Sequence, residues 1–148
     1  MAAAAAVVAV TAFGVAVGAA APGSLPLHFK TPSGNIFCSY FHEKALAGVD
    51  CVMKSGYKPP LPRRRPECSR SYWVGLRATG AVQTGGSICP GEDDPDGPFI
   101  GAENAWVLGY GKAWSGGAMR CTSAMSGLTC RNKSGHGFFL SRAHWRSF

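Results

Sequence analysis

The sequence predicts an all-β or mainly β fold: a small disulfide-stabilised domain of antiparallel hairpins or a meander, with few or no helices in its mature part. Twenty glycines and ten prolines among 148 residues indicate many turns rather than long helices. Apolar residues alternate with a period of two in several short segments, as in strands that bury one face. Six cysteines, an even number, are typical of an exported domain whose thiols are paired.

The alternating segments place the strands in chain order, beginning after a turn at residues 31–35. Two sets define the first pair of strands: Ile36, Cys38 and Tyr40, then Val49, Cys51 and Met53. Residues 71–81 and 105–108 are predicted as strands, 56–66 and 85–98 as irregular loops, and 116–142 as a β-meander.

The N-terminal segment indicates export. Residues 2–21 are Ala, Val and Gly apart from Thr11 and Phe13, and they carry no charge. This pattern is typical of the apolar core of a secretory signal, and small residues near position 20 suit a cleavage site. We therefore expect a signal peptide over 1–20, a single β-rich domain over 21–148, and a secreted or cell-envelope location. An uncleaved anchor is the alternative, because the apolar run is about long enough to span a bilayer.

Two stretches of the chain resemble each other and predict two similar hairpins. The segment 34–39 parallels 117–122, and in each copy a glycine (Gly48 or Gly127) stands three positions before a second cysteine. In the second copy Met125 and Ser126 form the turn, and Gly127 takes the left-handed position of the loop. Six cysteines permit fifteen pairings. The hairpin geometry favours these three: Cys38–Cys51, Cys121–Cys130 and, by elimination, Cys68–Cys89.

Composition argues against a metal or cofactor. The chain has no C-x-x-C pair, so structural zinc is not expected. The acidic loop at 92–96 lacks the ligand pattern of an EF-hand and is interpreted as a solvated loop. The formal charge of +7 could attract a polyanion or serve as solubilising charge. Most of the cations are scattered, so no specific nucleic-acid site is predicted.

Catalytic patterns are weak. His136 lies between two glycines and could act as an acid or base, but no sequence feature marks a partner for it. No G-x-S-x-G elbow occurs, and an even cysteine count disfavours a free thiol nucleophile. No catalytic residue is therefore assigned.

Several motifs resemble those of a known family. The segments that carry the resemblance are Phe29-x-Thr31-Pro32-Ser33-Gly34-Asn35-Ile36-x-Cys38, Val107-Leu108-Gly109-Tyr110-Gly111 with Trp114, Gly127-Leu128-Thr129-Cys130-Arg131-Asn132, and Gly135-His136-Gly137-Phe138-x-Leu140-Ser141-Arg142. Together they are similar to an actinobacterial family of small exported proteins that is catalogued as a domain of unknown function. The chain departs from that pattern at Gly109, where proline is usual, and at Glu92, where aspartate is common. The resemblance implies export, paired cysteines and one compact domain, and it transfers no catalytic residue.

The sequence therefore favours a noncatalytic binding or interaction module of the cell envelope or extracellular space. Its partner would be an envelope component or a secreted protein, and a monomer without a membrane span after processing is expected. The candidate ligand-binding residues are Tyr110, Trp114, His136 and Arg142, in the 110–117 loop, the 135–137 turn and the segment after it. One alternative is a small RNase-like hydrolase that uses His136 with a second histidine. Another is an inhibitor of a secreted enzyme.

Overall fold

The described chain folds as two β-sheets. The computed structural model describes residues 26–43, 47–62, 72–86 and 102–148, and within them it contains strands and no helix. The strands are β1 (His28–Lys30), β2 (Ile36–Phe41), β3 (Gly48–Met53), β4 (Trp73–Arg77), β5 (Gln83–Gly85), β6 (Trp106–Val107), β7 (Ala113–Gly116), β8 (Met119–Ala124), β9 (Gly127–Asn132), β10 (Gly137–Leu140) and β11 (Trp145–Ser147). The predicted all-β class is confirmed.

The strand order in each sheet follows the chain closely. Sheet A has the order β5-β4-β3-β2-β1-β6, and sheet B has the order β11-β10-β9-β8-β7. All neighbours pair antiparallel except β1 and β6, which are parallel because a long connection returns the chain to the edge of sheet A. Sheet B is the meander that the sequence predicted for the C-terminal third.

The core lies between the two sheets. Side chains from both inner faces form one buried cluster, which includes Phe29 and Leu76 from sheet A and Leu128 and Phe138 from sheet B. Both predicted alternating sets in β2 and β3 point into this cluster, with Tyr40 packed against its margin. Burial of these apolar faces is the main stabilising contribution, at roughly 25 cal/mol per Å².

The two predicted hairpins have matching geometry. Cys38 pairs opposite Cys51 in β2–β3, and Cys121 pairs opposite Cys130 in β8–β9. In each hairpin the bridge joins the third residue of the first strand to the fourth residue of the second. Both disulfides are formed, with Cα–Cα distances of 4.1 and 4.0 Å, and all four cysteines are fully buried. These two pairings are confirmed.

Polar side chains connect the sheets. The buried Asn132 amide donates to the carbonyls of Arg77, at the end of β4, and Gly80, in the β4–β5 turn. Its oxygen accepts from the backbone amides of Ser134 and His136. All four hydrogen-bonding positions of the amide are therefore used. Asn132 thus fixes the β9–β10 turn to the end of strand β4.

A second connection runs through the segment after β3. The Tyr57 hydroxyl donates to the carbonyl of Cys51 at 2.7 Å, and its ring meets Trp145 edge to face. Trp145 in turn donates its ring N–H to the carbonyl of Pro59 at 2.7 Å. Burial raises the pKa of Tyr57 well above its usual value, and the nearby Asp50 charge raises it further. The segment therefore holds the last strand of sheet B against sheet A.

Gly127 differs in detail from the prediction. Ala124 pairs with Gly127 across a two-residue turn, and the glycine has a φ of 148°, far from the αL value. A Cβ at this position would lie 2.2 Å from the Leu140 carbonyl oxygen on the neighbouring strand. The glycine is thus required by backbone conformation and by the close approach of β10.

We expect Gly127→Ala to lower the free energy of unfolding by about 3 kcal/mol, since it combines backbone strain with a backbone clash. Gly135→Ala is the matched control, because Gly135 also has a positive φ, of 86°, but a Cβ added there would meet no atom within 4 Å. The control should cost about 1 kcal/mol. If urea denaturation shows that Gly127→Ala and Gly135→Ala lower the free energy of unfolding equally, the close approach to Leu140 is unimportant.

Several predictions lie outside the described residues: the signal peptide over 1–20, the Cys68–Cys89 pair and the acidic loop at 92–96. The single-domain boundary at residue 21 stays a prediction for the same reason. Among the described residues, no helix is long and apolar enough to cross a membrane.

Candidate functional site

Three turns meet at one end of the sandwich and border a cavity of about 470 Å³, which we call the end groove. They are the β1–β2 turn (31–35), the β8–β9 turn (125–126) and the β10–β11 loop (141–144). Residues that line the groove are Thr31, Ser33, Asn35, Ile36, Tyr110, Ala124, Met125, Ser126, Gly127, Phe139, Ser141, Arg142, Ala143 and His144. A cavity of this size suits a small ligand or one side chain of a larger partner.

The β1–β2 turn forms a rigid wall. The Gly34 amide donates to the Thr31 carbonyl at 2.8 Å, which closes a turn with Pro32 at its second position. The Thr31 hydroxyl accepts from the Ile36 amide at 3.2 Å. Asn35 exchanges two hydrogen bonds with Ser55 in the turn that follows strand β3. These bonds hold the wall in one conformation.

The β10–β11 loop forms the opposite wall. The Ser141 hydroxyl donates to the carbonyl of His144 at 2.8 Å and accepts from its amide at 3.1 Å. The His144 ring packs on Phe139, with ring centroids 5.3 Å apart. Arg142 is at the tip of this loop and is exposed. The loop therefore presents a guanidinium from a fixed backbone.

The lining of the end groove has a consistent chemistry. Hydroxyl groups come from both walls, apolar surface comes from Tyr110, Met125 and Phe139, and Arg142 and His144 supply cationic or donor groups. None of the described residues that line it is an aspartate or glutamate. Such a surface can bind an anionic or carboxylate-bearing group next to an apolar one, because the guanidinium donates paired hydrogen bonds to an oxyanion.

Two of the four predicted ligand residues meet in this groove. Tyr110 is 45% exposed, and Arg142 lines the same cavity. The two residues are 32 positions apart in the chain, and the fold brings them together because both adjoin the same end of sheet B.

Trp114 is placed differently from the predicted exposed recognition loop. It is 3% exposed, stacks on Phe29 and meets Tyr40 edge to face, each at a ring distance of 5.0 Å. Its ring N–H donates to the carbonyl of Pro26 at 3.1 Å. Gly116 leaves the space that the indole fills, because a Cβ there would lie 2.4 Å from the ring. Trp114 is therefore a core residue.

His136 lies at the other end of sheet B. Strand β9 separates its turn from the β8–β9 turn, and six residues of strand span roughly 20 Å. Its backbone amide is held by Asn132 at 3.1 Å, while within the described residues its imidazole has no hydrogen-bond or ring partner. Tyr110 and the 135–137 turn thus lie at opposite ends of sheet B. The other end of the 110–117 segment adjoins the His136 end, where the Lys133 amide donates to the Ala118 carbonyl at 3.0 Å.

Sequence reasoning missed the other residues of the end groove. Met125 is 89% exposed at the tip of the β8–β9 turn, and Phe139 and His144 complete the far wall. The two-residue turn between Cys121 and Cys130 was a usable signal, since an apolar side chain at a hairpin tip has nothing to pack against. Phe139 and His144 carry no such signal in the sequence.

The comparisons with known proteins identify a family without assigning an activity. A family model described as "Family of unknown function (DUF6636)" matches residues 9–148, so the chain belongs to this family. No curated protein and no solved structure matches the chain.

Proposed function

We propose that this member of the DUF6636 family is an exported, noncatalytic binding module of the cell envelope or extracellular space, and that the end groove is its binding site. The observation that carries the proposal is the convergence of Tyr110 and Arg142 on a cavity whose walls are fixed by backbone hydrogen bonds. A preformed site loses little entropy on binding, which is the usual reason for a rigid frame around a ligand.

The ligand class follows from the lining. The guanidinium of Arg142 would bind an oxyanion, and the exposed Tyr110 ring and the hydroxyls would contact an adjacent apolar and hydroxyl-bearing part. We therefore assign the groove to a small carboxylate-bearing group, either free or as part of an envelope polymer or a secreted protein.

The hydrolase alternative has less support. Paired acid–base catalysis needs two titratable groups within hydrogen-bond reach of one substrate. His136 and His144 lie at opposite ends of sheet B, and the lining of the end groove contains one histidine. A His136→Ala variant that folds but has lost a measurable turnover would reverse this preference.

One observation favours an inhibitor as the second candidate. Met125 projects from a two-residue turn that is held by the Cys121–Cys130 bridge in the same hairpin. An exposed apolar side chain on a rigid hairpin can anchor in a pocket of a partner protein. In that case Met125→Ala would abolish a stoichiometric complex with a secreted enzyme.

Co-sedimentation of the oxidised protein with purified cell envelope of the source organism tests the main proposal. We expect retention at low salt and at high salt, because contacts inside a groove are screened less than surface charge. The double variant Tyr110→Ala/Arg142→Gln should lose about tenfold or more of the bound fraction, as expected when a charge-assisted contact and an aromatic contact are removed.

Lys58→Gln is the matched control for charge, because Lys58 is exposed and does not line the groove. This variant should bind like the wild type. If the double variant and the control lose binding equally, or if the wild type is not retained, the end groove is not an envelope-binding site.

A further inference from the structure

The positive charge of the protein is concentrated in the C-terminal part of the chain. Residues 104–148 contain six of the 15 Lys and Arg residues and none of the eight Asp and Glu residues. The other nine cations almost balance the eight acids. Nearly all of the +7 charge therefore belongs to sheet B and its connections.

Three arginines share the outer face of sheet B. Arg120 on β8 stands directly opposite Arg131 on β9, and Arg146 lies two strands further on β11. All three side chains are exposed. Two like charges in directly opposed positions destabilise a strand pair, so the fold gains nothing from this arrangement.

Aromatic rings order two of these guanidinium groups. The Arg131 guanidinium lies 4.2 Å above the Phe148 ring, and that ring lies against the backbone of Gly137. Arg146 stands over the rings of Phe139 and Phe148 at 5.9 and 5.7 Å. Stacked guanidinium groups lose less freedom when they form further bonds. The face is therefore preorganised.

Among the described residues, the arginine of sheet A, unlike those on sheet B, is paired with a carboxylate. Arg77 forms a two-point ion pair with Asp50, with distances of 2.5 and 3.1 Å. Within the part of the chain that the structure describes, Arg120, Arg131 and Arg146 form no ion pair with a carboxylate. Arg120 donates one hydrogen bond to the Ser115 hydroxyl at 3.4 Å, and guanidinium donors remain on all three arginines for an external anion.

We infer that this cationic face, formed by Arg120, Arg131 and Arg146, binds an acidic polysaccharide through its carboxylate groups. Planar guanidinium groups match carboxylates in a two-point geometry. Next to the arginine pair, the opposed Thr122 and Thr129 offer hydroxyls that can hydrogen-bond a sugar. The inference does not depend on the end groove.

A nucleic acid fits this face less well. Proteins that bind single strands present exposed aromatic rings on which bases stack. Here the rings of Phe139 and Phe148 are half-buried and lie beneath guanidinium groups. The face therefore exposes cations and hydroxyls, while guanidinium groups cover the aromatic rings on which bases would stack.

Calorimetric titration of the oxidised protein at about 0.15 M salt tests the inference, with polygalacturonate as the acidic polymer. Neutral dextran and a single-stranded thymidine oligonucleotide are the comparison ligands. We expect polygalacturonate to bind most tightly. Arg120→Gln and Arg131→Gln should each weaken its binding about tenfold, the loss of one charge-assisted hydrogen-bonded contact.

Lys54→Gln removes the same charge just after β3, in sheet A, and should change affinity less than about twofold, because salt screens charges beyond about 8 Å. The melting temperature of Arg120→Gln should not fall, since the substitution relieves like-charge repulsion. This separates a binding role from a structural one.

The inference is overturned by no binding of polygalacturonate, by an equal loss for Lys54→Gln, or by tighter binding of the oligonucleotide through the same arginines. The first excludes the ligand class, the second reduces the effect to net charge, and the third assigns the face to nucleic acid. Affinity unchanged in both arginine variants would also contradict it.

Discussion

Replacing Cys121 and Cys130 together with alanine should lower the free energy of unfolding by about 3 kcal/mol, and replacing Cys38 and Cys51 should cost about the same. Each bridge closes a short loop, with sequence separations of 9 and 13 residues, and so restricts the unfolded chain by a similar amount. All four sulfurs are also fully buried in the core between the sheets, so their removal forfeits packing as well. Guanidinium denaturation of each double variant measures the loss.

The control uses a neighbouring pair in the same hairpin. Thr122 and Thr129 are directly opposed on β8 and β9, and their side chains are more exposed than the bridge beside them. Thr122→Ala/Thr129→Ala should change stability by less than about 1 kcal/mol. A loss below about 1 kcal/mol for both cysteine variants would mean that the paired hairpins do not depend on their bridges.

Asn132→Ala should lower the free energy of unfolding by about 2–4 kcal/mol. The substitution leaves the carbonyls of Arg77 and Gly80 and two turn amides without their partner, at about 1 kcal/mol for each lost bond. Because the residue joins the two sheets, the loss should appear in global unfolding measured by urea denaturation.

Two further variants make this test specific. Asn104→Ala removes an exposed asparagine and should be nearly neutral. Asn132→Asp keeps the acceptor for the turn amides but places a charged oxygen against two carbonyls, so it should also destabilise. Its penalty should shrink on acidification, because a protonated carboxyl can donate one of the lost bonds. An Asn132→Asp variant as stable as the wild type would contradict the assigned bonds.

The hairpins were predictable because their information is local. Cys121 and Cys130 are nine positions apart, and the glycine before the second cysteine marks the turn between them. Alternation in β2 and β3 likewise identified which residues enter the core, since a period of two sorts side chains to opposite faces.

The end groove was not predictable in the same way. Its walls come from turns near residues 33, 125 and 142, and only the packing of sheet A on sheet B brings them together. Trp114 shows a related limit. Glycines beside an aromatic residue indicated an exposed loop, but Gly116 leaves room for a buried indole. Local patterns do not distinguish these two uses of glycine.

Site-specific photo-crosslinking tests most directly whether the end groove is the binding site. Benzoylphenylalanine placed at Met125 lines the groove and is tolerated because that side chain is 89% exposed. The same group placed at His136, at the opposite end of sheet B, is the control. In cells of the source organism we expect one crosslinked product that forms from position 125, is absent from position 136, and is lost with Arg142→Gln. Equal crosslinking from both positions, or none from position 125, would contradict binding at the groove.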